Sequence, residues 1–242
     1  MVCRLVSQLL ECPEISKVIV TLNIPEDISL PKNARIDTIR NNFPLGFAAN
    51  QNQAFSRSSE GFFCVLNPDI TLSENPFGQL ISVMEKSGAD ISAPRVISPQ
   101  GKVEDSVRRF PTFLGLLARV LRLSTGQVRF DVTSQPFYPD WVAGMFMLFR
   151  SASYACLGGF DEDYFLYYED VDICVRTWNL GMKIVACPSI SVIHDARRES
   201  HQNLRHLRWH LTSMARYFWK HMWRLPQRNE SSVQRNKVSS VI

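Results

Sequence analysis

Residues 158 to 176 read Gly-Gly-Phe-Asp-Glu-Asp-Tyr-Phe-Leu-Tyr-Tyr-Glu-Asp-Val-Asp-Ile-Cys-Val-Arg. The two glycines stop one helix, a loop of acids and aromatics follows, and a second helix opens near Glu169. Carboxylates in that first turn are stabilised by the helix dipole and its free amides, while Phe165, Tyr167 and Tyr168 can restrict water around Asp170. Such an environment holds a base near its working pKa. Helical spacing places 169, 172, 173 and 176 on one face, so Asp172 can pair with Arg176, and Asp170 points elsewhere. The same acids also read as plain helix caps, and spacing alone does not separate the two readings.

Outward from this stretch, strands and helices alternate. Val18 to Leu22 and Phe62 to Leu66 are short apolar runs that read as buried parallel strands, and Asp90 to Val96, Trp141 to Phe149 and Lys183 to Ala186 read as further strands, the last leading on to His194. Helices are expected at Val2 to Glu11, at Ala48 to Arg57 entered through Gly46, and at Pro76 to Lys86 with proline in the first turn. Others are expected at Phe113 to Leu123, at Ser151 to Cys156, and at Glu169 to Leu180 closed by Gly181. The alternation predicts an α/β layered domain with a mostly parallel central sheet.

The chain has 242 residues and 45% hydrophobic content, enough for one large core. Six cysteines without a C-x-x-C pair read as buried free thiols of a reducing compartment. No run reaches the roughly 18 to 20 apolar residues of a membrane helix, and the N-terminus does not read as a secretory signal. Net charge is +4, but from Arg197 onward ten Lys or Arg face only Glu199 and Glu230, a tail of +8 that leaves −4 on the rest. We therefore expect a domain at 1–196 and a basic amphipathic tail at 197–242. Within the tail, Leu204, Leu207, Leu211, Met214 and Phe218 form an apolar helical stripe among arginines. It can pack on the domain, lie on an anionic membrane, or do both. His201, His206, His210 and His221 are expected at surface positions.

Two residues outside the acidic stretch invite chemistry. Asp69, in the turn Asn67-Pro68-Asp69, follows a strand, where α/β sheets place ligands and where a carboxylate can hold a divalent ion against phosphate. His194, at a strand end before Asp195, can ligate metal or contact phosphate. Ordinary turn chemistry and a structural histidine account for each residue taken alone.

Taken together, the residues resemble a known family. Gly-Phe-Asp-Glu-Asp-Tyr-Phe-Leu-Tyr-Tyr-Glu-Asp-Val-Asp-Ile-Cys, with Pro188 and His194, is similar to inverting nucleotide-sugar glycosyltransferases of family 2, whose fold is the GT-A type. Asn23 after an early strand, Gly46-Phe47 with Asn52, and Leu66-Asn67-Pro68-Asp69, a variant of the Asp-x-Asp metal motif, extend the likeness over most of the chain. Val107-Arg108-Arg109-Phe110-Pro111, Asp140-Trp141-Val142-Ala143-Gly144 and Arg208-Trp209-His210-Leu211 resemble the rhamnosyltransferase branch that builds O-antigen and related polysaccharides.

The resemblance implies Asp170 as the base, with Asp69 and His194 at a Mg²⁺ or Mn²⁺ site. It implies Asn23, Gly46, Asn52 and Asn67 on the nucleotide side, Trp141 and Gly144 on the sugar or acceptor side, Glu169 beside the base, and Arg109 as a phosphate contact. The implied reaction moves L-rhamnose from a dTDP-sugar donor, with inversion, onto a lipid-linked saccharide acceptor at the cytoplasmic membrane face. Nucleic acid is not an expected partner, because the basic residues are confined to one helix. Two features depart from the pattern: helix-like sequence stands where family members open with a strand, and Leu22 replaces an acid many carry before Asn23. The alternative is a non-catalytic remnant that keeps the fold and binds an assembly partner or the membrane.

Overall fold

A computed structural model describes residues 1–120, 133–195, 204–221 and 225–226, with side chains in the last turn of the 113–120 helix left aside. The chain opens on α1 (Val2–Glu11), continues through β1 (Val18–Leu22), β2 (Ile36–Arg40), α2 (Phe47–Phe55), β3 (Phe62–Leu66) and β4 (Ile70–Thr71), and reaches α3 (Phe77–Ser87) and β5 (Ile91–Ile97). After β6 (Val107–Arg108) and α4 (Phe113–Val120) come β7 (Trp141–Val142), β8 (Phe146–Arg150), α5 (Ser151–Cys156), α6 (Glu169–Asn179), β9 (Ile184–His194) and α7 (Leu204–His221). The expected helices are present within a few residues of their predicted bounds, and glycines with positive φ follow α3, α5 and α6, at 88, 158 and 181. That part of the 113–123 helix beyond Val120, and its outer arginine at 122, lie outside the described residues.

The sheets are mixed, which corrects the expectation of a mostly parallel one. Five strands run in the order β3-β8-β5-β9-β4, while β1-β2 and β6-β7 form separate pairs. Only β1-β2 and β5-β9 are parallel among the described pairs. The cause is local: β8 begins where β3 ends, with Phe146 opposite Leu66 and Arg150 opposite Phe62, so it runs back antiparallel between β3 and β5. The predicted strand Trp141 to Phe149 is also two strands, broken at 143–145.

Two apolar clusters lie on opposite faces of this strand layer. One gathers Phe63, Val65, Ile91, Phe149, Ile173 and Ile184 with α2, α5 and α6; the other gathers Leu5, Leu9, Val20, Leu80, Met84 and Val185 with α1 and α3. The arrangement is helices on both faces of a sheet, as an α/β alternation predicts.

The C-terminal helix belongs to this body. Its buried side carries Ser213, Tyr217, Phe218 and His221, not the full predicted stripe: Leu204, Leu207 and Leu211 are exposed. His221 is a second correction, since it is buried and its Nε2 lies 2.6 Å from Asp172 Oδ1. Asp172, on α6, has no exposed surface. It also pairs with Lys220 Nζ at 2.7 Å and, as the i,i+4 spacing anticipated, with Arg176 Nε at 2.7 Å. Burial would raise this carboxyl, but His221, Arg176 and Lys220 outweigh it and hold the pKa at about 2.

Asp172→Asn leaves three cationic or donor groups without their charge partner, and should lower stability by about 3 kcal/mol in chemical denaturation. The folded pKa of about 2 lies below the ordinary 3.8, so the stabilisation is full above pH 4 and is lost as pH falls toward 2. The variant should lack that acid-sensitive limb.

Candidate active site

The acidic loop reaches its position through an unusual backbone. Tyr167 and Tyr168 have φ of 72° and 66°, a left-handed conformation that costs a side-chain-bearing residue about 1 to 3 kcal/mol. Neighbours on α7 hold the turn: Ser213 Oγ donates to Leu166 O at 2.8 Å, Tyr167 Oη meets His206 Nδ1 at 3.0 Å, and Tyr168 packs on Tyr217 with ring centres 5.3 Å apart. Lys220 Nζ bonds Asp161 Oδ2 at 2.7 Å and Arg216 pairs with Asp163. Immediately after this turn α6 begins, with Asp170 in its first turn.

Asp170 is half-buried, and both oxygens are held: Oδ2 accepts from the Gly144 N–H at 3.0 Å and Oδ1 from the Val171 N–H at 2.8 Å. Burial pushes its pKa up, opposed by these amides and by the charge of Arg108. Beside it, Glu169 is buried, with Oε2 lacking a partner among the described residues; burial first, then the Asp170 charge, push its pKa up as well. Burial thus favours the protonated form of both adjacent carboxyls, and the charge of Asp170 adds to that preference at Glu169.

The next residue along joins Asp170 to the turn that carries Asp69. Met145 O accepts from the Asn67 N–H at 3.0 Å, while Asn67 O accepts from Ile70 N at 3.2 Å across the turn that carries Asp69. Consecutive residues, Gly144 through its N–H and Met145 through its C=O, therefore bind Asp170 and the Asn67–Asp69 turn. Asp69 Oδ2 lies 3.2 Å from His194 Nε2, and His194 Nδ1 lies 2.6 Å from Glu104 Oε2. Burial disfavours charge on that imidazole, yet the hydrogen bonds to Asp69 and Glu104 prevail and raise its pKa to about 9.

No set of three or more His, Cys, Asp or Glu is preassembled for a metal among the described residues. Asp69 suits a divalent cation, because its Oδ1 is buried and lacks a hydrogen-bond partner among the described residues, whereas His194, protonated between Asp69 and Glu104, would have to release a proton before it could join the ion. Mg²⁺ sites commonly use one or two carboxylates and take the remaining oxygens from substrate and water.

The other predicted site residues fall into two groups. Asn23, Gly46 and Asn52 serve the loops around the site. Asn23 bridges both polar groups of Leu45 at 2.9 and 2.8 Å and receives Asn41 Nδ2 at 3.0 Å. Asn52 brackets the acidic loop by bonding Phe160 N and O, both at 2.9 Å, Glu162 and Tyr154. Gly46 presses on the same loop, since Phe47 N donates to Phe165 O at 2.8 Å. Trp141 is buried and its Nε1 donates to Arg109 O at 3.1 Å, which fixes the 107–110 segment over the site. The side chain of Arg109 is exposed, and it is the adjacent Arg108 that acts on Asp170.

Neither Arg108, quoted only as part of the 107–111 segment, nor Glu104 is among the site residues expected from the sequence. For Arg108 the available signal is strand alternation, since it pairs directly opposite Trp141; for Glu104 no local pattern exists, because its partner His194 lies 90 residues away.

A Cβ at position 46 would stand 2.7 Å from Phe165 O and 2.8 Å from Phe165 Cα, both backbone atoms. Gly46→Ala should therefore shift the acidic loop and cost about 1 to 3 kcal/mol, seen as a lower Tm. At Gly144 a Cβ would meet Asp170 Cβ and the Phe47 ring at an ordinary 3.5 Å, so Gly144→Ala should melt close to the parent. Equal melting of both variants with the parent would contradict the close approach at 46.

The chain is similar to known proteins in sequence and in fold. Residues 21–135 match the family model Glycosyl transferase family 2. Rhamnosyltransferase WbbL of Escherichia coli (strain K12) is 28% identical over 183 residues, covering 71% of this chain and 69% of that protein. The N-acetylglucosaminyl-diphospho-decaprenol L-rhamnosyltransferase of Mycobacterium tuberculosis (strain ATCC 25618 / H37Rv) is 30% identical over 141 residues, 54% of this chain and 45% of that protein. Among solved structures, GalNAc-T7 with UDP, GalNAc and Mn²⁺ superposes with a TM-score of 0.63 at 14% identity, over 82% of this chain and 41% of that one. The chain thus spans between under half and about two thirds of these relatives, with the GT-A arrangement of strands and helices. Residues 21–135 thus carry the match to glycosyltransferase family 2, and the two curated relatives to which the chain is similar are named as rhamnosyltransferases.

Proposed function

We propose that the protein transfers L-rhamnose from dTDP-L-rhamnose, with inversion, onto a sugar hydroxyl of a lipid-diphosphate-linked saccharide during assembly of an O-antigen-type polysaccharide. The observation that carries this reading is the half-buried Asp170 carboxylate, held by the Gly144 amide one residue from the carbonyl that anchors the Asn67 turn. The names of the two curated relatives support the sugar, and the decaprenol diphosphate in one of them supports a lipid-linked acceptor.

In this reading Asp170 removes the proton of the acceptor hydroxyl as that oxygen attacks the anomeric carbon opposite the departing diphosphate. The amides of Gly144 and Val171 fix the carboxylate plane, so its free lone pairs face the acceptor. Glu169, whose pKa burial raises, is suited to donate its proton in a hydrogen bond to a sugar oxygen. Arg108 adds positive charge on the same side. A Mg²⁺ or Mn²⁺ ion held by Asp69 and His194 would neutralise charge developing on the diphosphate.

The exposed side of α7 supports attachment to the inner, anionic face of the plasma membrane. Leu204, Leu207, Leu211 and Trp219 are exposed on it, with Leu114 of α4 also exposed. No helix among the described residues is long and apolar enough to cross a membrane. Apolar side chains set among basic ones bind the interface, each Lys or Arg near it contributing on the order of 1 kcal/mol.

Incubation with dTDP-rhamnose, Mn²⁺ or Mg²⁺ and lipid-linked GlcNAc should give a rhamnosylated product with inverted anomeric configuration. Asp170→Asn should lower kcat by about 10² to 10⁴ without loss of fold, and unimpaired transfer by that variant would remove the proposed base. Calorimetry with dTDP tests the remnant alternative: an intact fold without binding would favour it. Replacing Leu204, Leu207 and Leu211 together by Ser should reduce co-sedimentation with anionic vesicles several-fold while the circular dichroism spectrum is unchanged.

A further inference from the structure

The segment from Glu104 to Arg108 runs past both halves of the candidate site. At one end Glu104 Oε2 lies 2.6 Å from His194 Nδ1, and the other nitrogen of that ring meets Asp69. At the far end β6 pairs antiparallel with β7, Val107 opposite Val142 and Arg108 opposite Trp141. Ala143 N donates to Ser106 O at 2.8 Å, which carries the pairing one step further. The next residues on the two strands are Asp105 and Gly144, and Gly144 N donates to Asp170. The short strip 104–108 therefore begins beside the Asp69–His194 pair and ends at the residue whose charge acts on Asp170.

In the middle of the strip two side chains fold toward each other. Arg108 Nη2 pairs with Asp105 Oδ2, three residues before it, which draws the guanidinium back toward the Gly144 end of the strand pair. The side chains of Arg108 and Asp105 are 27% and 22% exposed, so the pair keeps an open edge. The second oxygen, Asp105 Oδ1, is shielded from water and has no hydrogen-bond partner among the described residues. A carboxylate oxygen left without a donor is costly, and in folded proteins such an atom is matched by a ligand or a water. The partly exposed guanidinium can turn aside and open Oδ1 to an incoming hydroxyl. An ion pair of this kind suits a neutral polyol: the carboxylate accepts from one hydroxyl while the guanidinium donates to the oxygen of the next.

We propose that the Asp105–Arg108 pair reads the ring hydroxyls of the sugar being transferred. This rests on the proposed function, in which the diphosphate departs on the Asp69 side and the acceptor oxygen arrives at Asp170. The sugar ring is bonded to the first and attacked by the second, so it lies between them, along the interval that 104–108 spans. Within that interval Asp105 supplies an unmatched acceptor and Arg108 supplies donors, and their mutual contact fixes where each one points. A carboxylate held in this way distinguishes sugars by the position of a hydroxyl, because a ring without it leaves Oδ1 unpaired again. The pair thus selects the donor sugar, whereas Asp170 acts on the acceptor.

Calorimetry separates the sugar from the nucleotide. The parent should bind dTDP-rhamnose more tightly than dTDP. Asp105→Ala and Arg108→Gln should each lose about 10-fold or more in affinity for dTDP-rhamnose, while their affinity for dTDP stays within about 2-fold of the parent. Asp105→Asn, equal in shape, should show the same selective loss in milder form at an unchanged Tm, which keeps the test open if the alanine variant fails to fold. Among dTDP-rhamnose analogues that each lack one ring hydroxyl, one should bind the parent poorly, and Asp105→Ala should no longer distinguish it from dTDP-rhamnose. Equal losses for dTDP and dTDP-rhamnose would overturn the proposal, as would unchanged affinity for both. A parent that binds dTDP but gains nothing from the attached rhamnose would remove the subsite and leave the nucleotide site standing. A parent that binds neither would strike the proposed function itself, and the subsite with it.

Discussion

Two consecutive residues, Gly144 through its N–H and Met145 through its C=O, hold the candidate site together. Continued pairing through a strand would have used the Gly144 N–H in a ladder; instead it goes to a carboxylate 26 residues further on. The neighbouring carbonyl goes to Asn67. A buried amide given to a side chain must be taken from secondary structure, and the predicted strand at 141–149 is accordingly interrupted at this point. The interruption starts β8 beside the end of β3, and so dictates both the antiparallel insertion in the sheet and the proximity of Asp170 to the turn that carries Asp69.

The parts of the fold that local chemistry decides were legible in the sequence. Apolar period and closing glycine mark α5 and α6, and the i,i+4 spacing of Asp172 and Arg176 forecast their contact. What escaped depends on distant partners. Strand β2, Ile-Asp-Thr-Ile-Arg, buries fully only Ile39 and carries no strong strand pattern. His221 in a basic tail resembles a surface residue until Asp172 is known to lie beneath it. The choice between Arg108 and Arg109 turns on which faces Asp170, and that follows from the pairing of β6 with β7.

The C-terminal helix illustrates how one apolar pattern can serve two surfaces. A stripe at spacings of three and four drifts around a helix as it lengthens. Over α7 the change is complete: the first half turns its leucines to solvent, while the second half turns Tyr217, Phe218 and His221 into the body. The buried half carries the ionic contact with Asp172, and the exposed half remains available to another phase. A membrane contact of this kind would thus be made by the helix that also holds the acidic loop in place.

The left-handed tyrosines before α6 make the site depend on the C-terminal helix. Glycine or asparagine would relax the backbone at 167 and 168 but forfeit the rings that meet His206 and Tyr217. Local preference and tertiary contact therefore oppose each other at these two positions, and the turn gains its support only after α7 has docked. The shape of the pocket around Asp170 is therefore conditional on α7: without that packing the sheet and both helical layers would still stand, but the turn that opens α6 would lose its support.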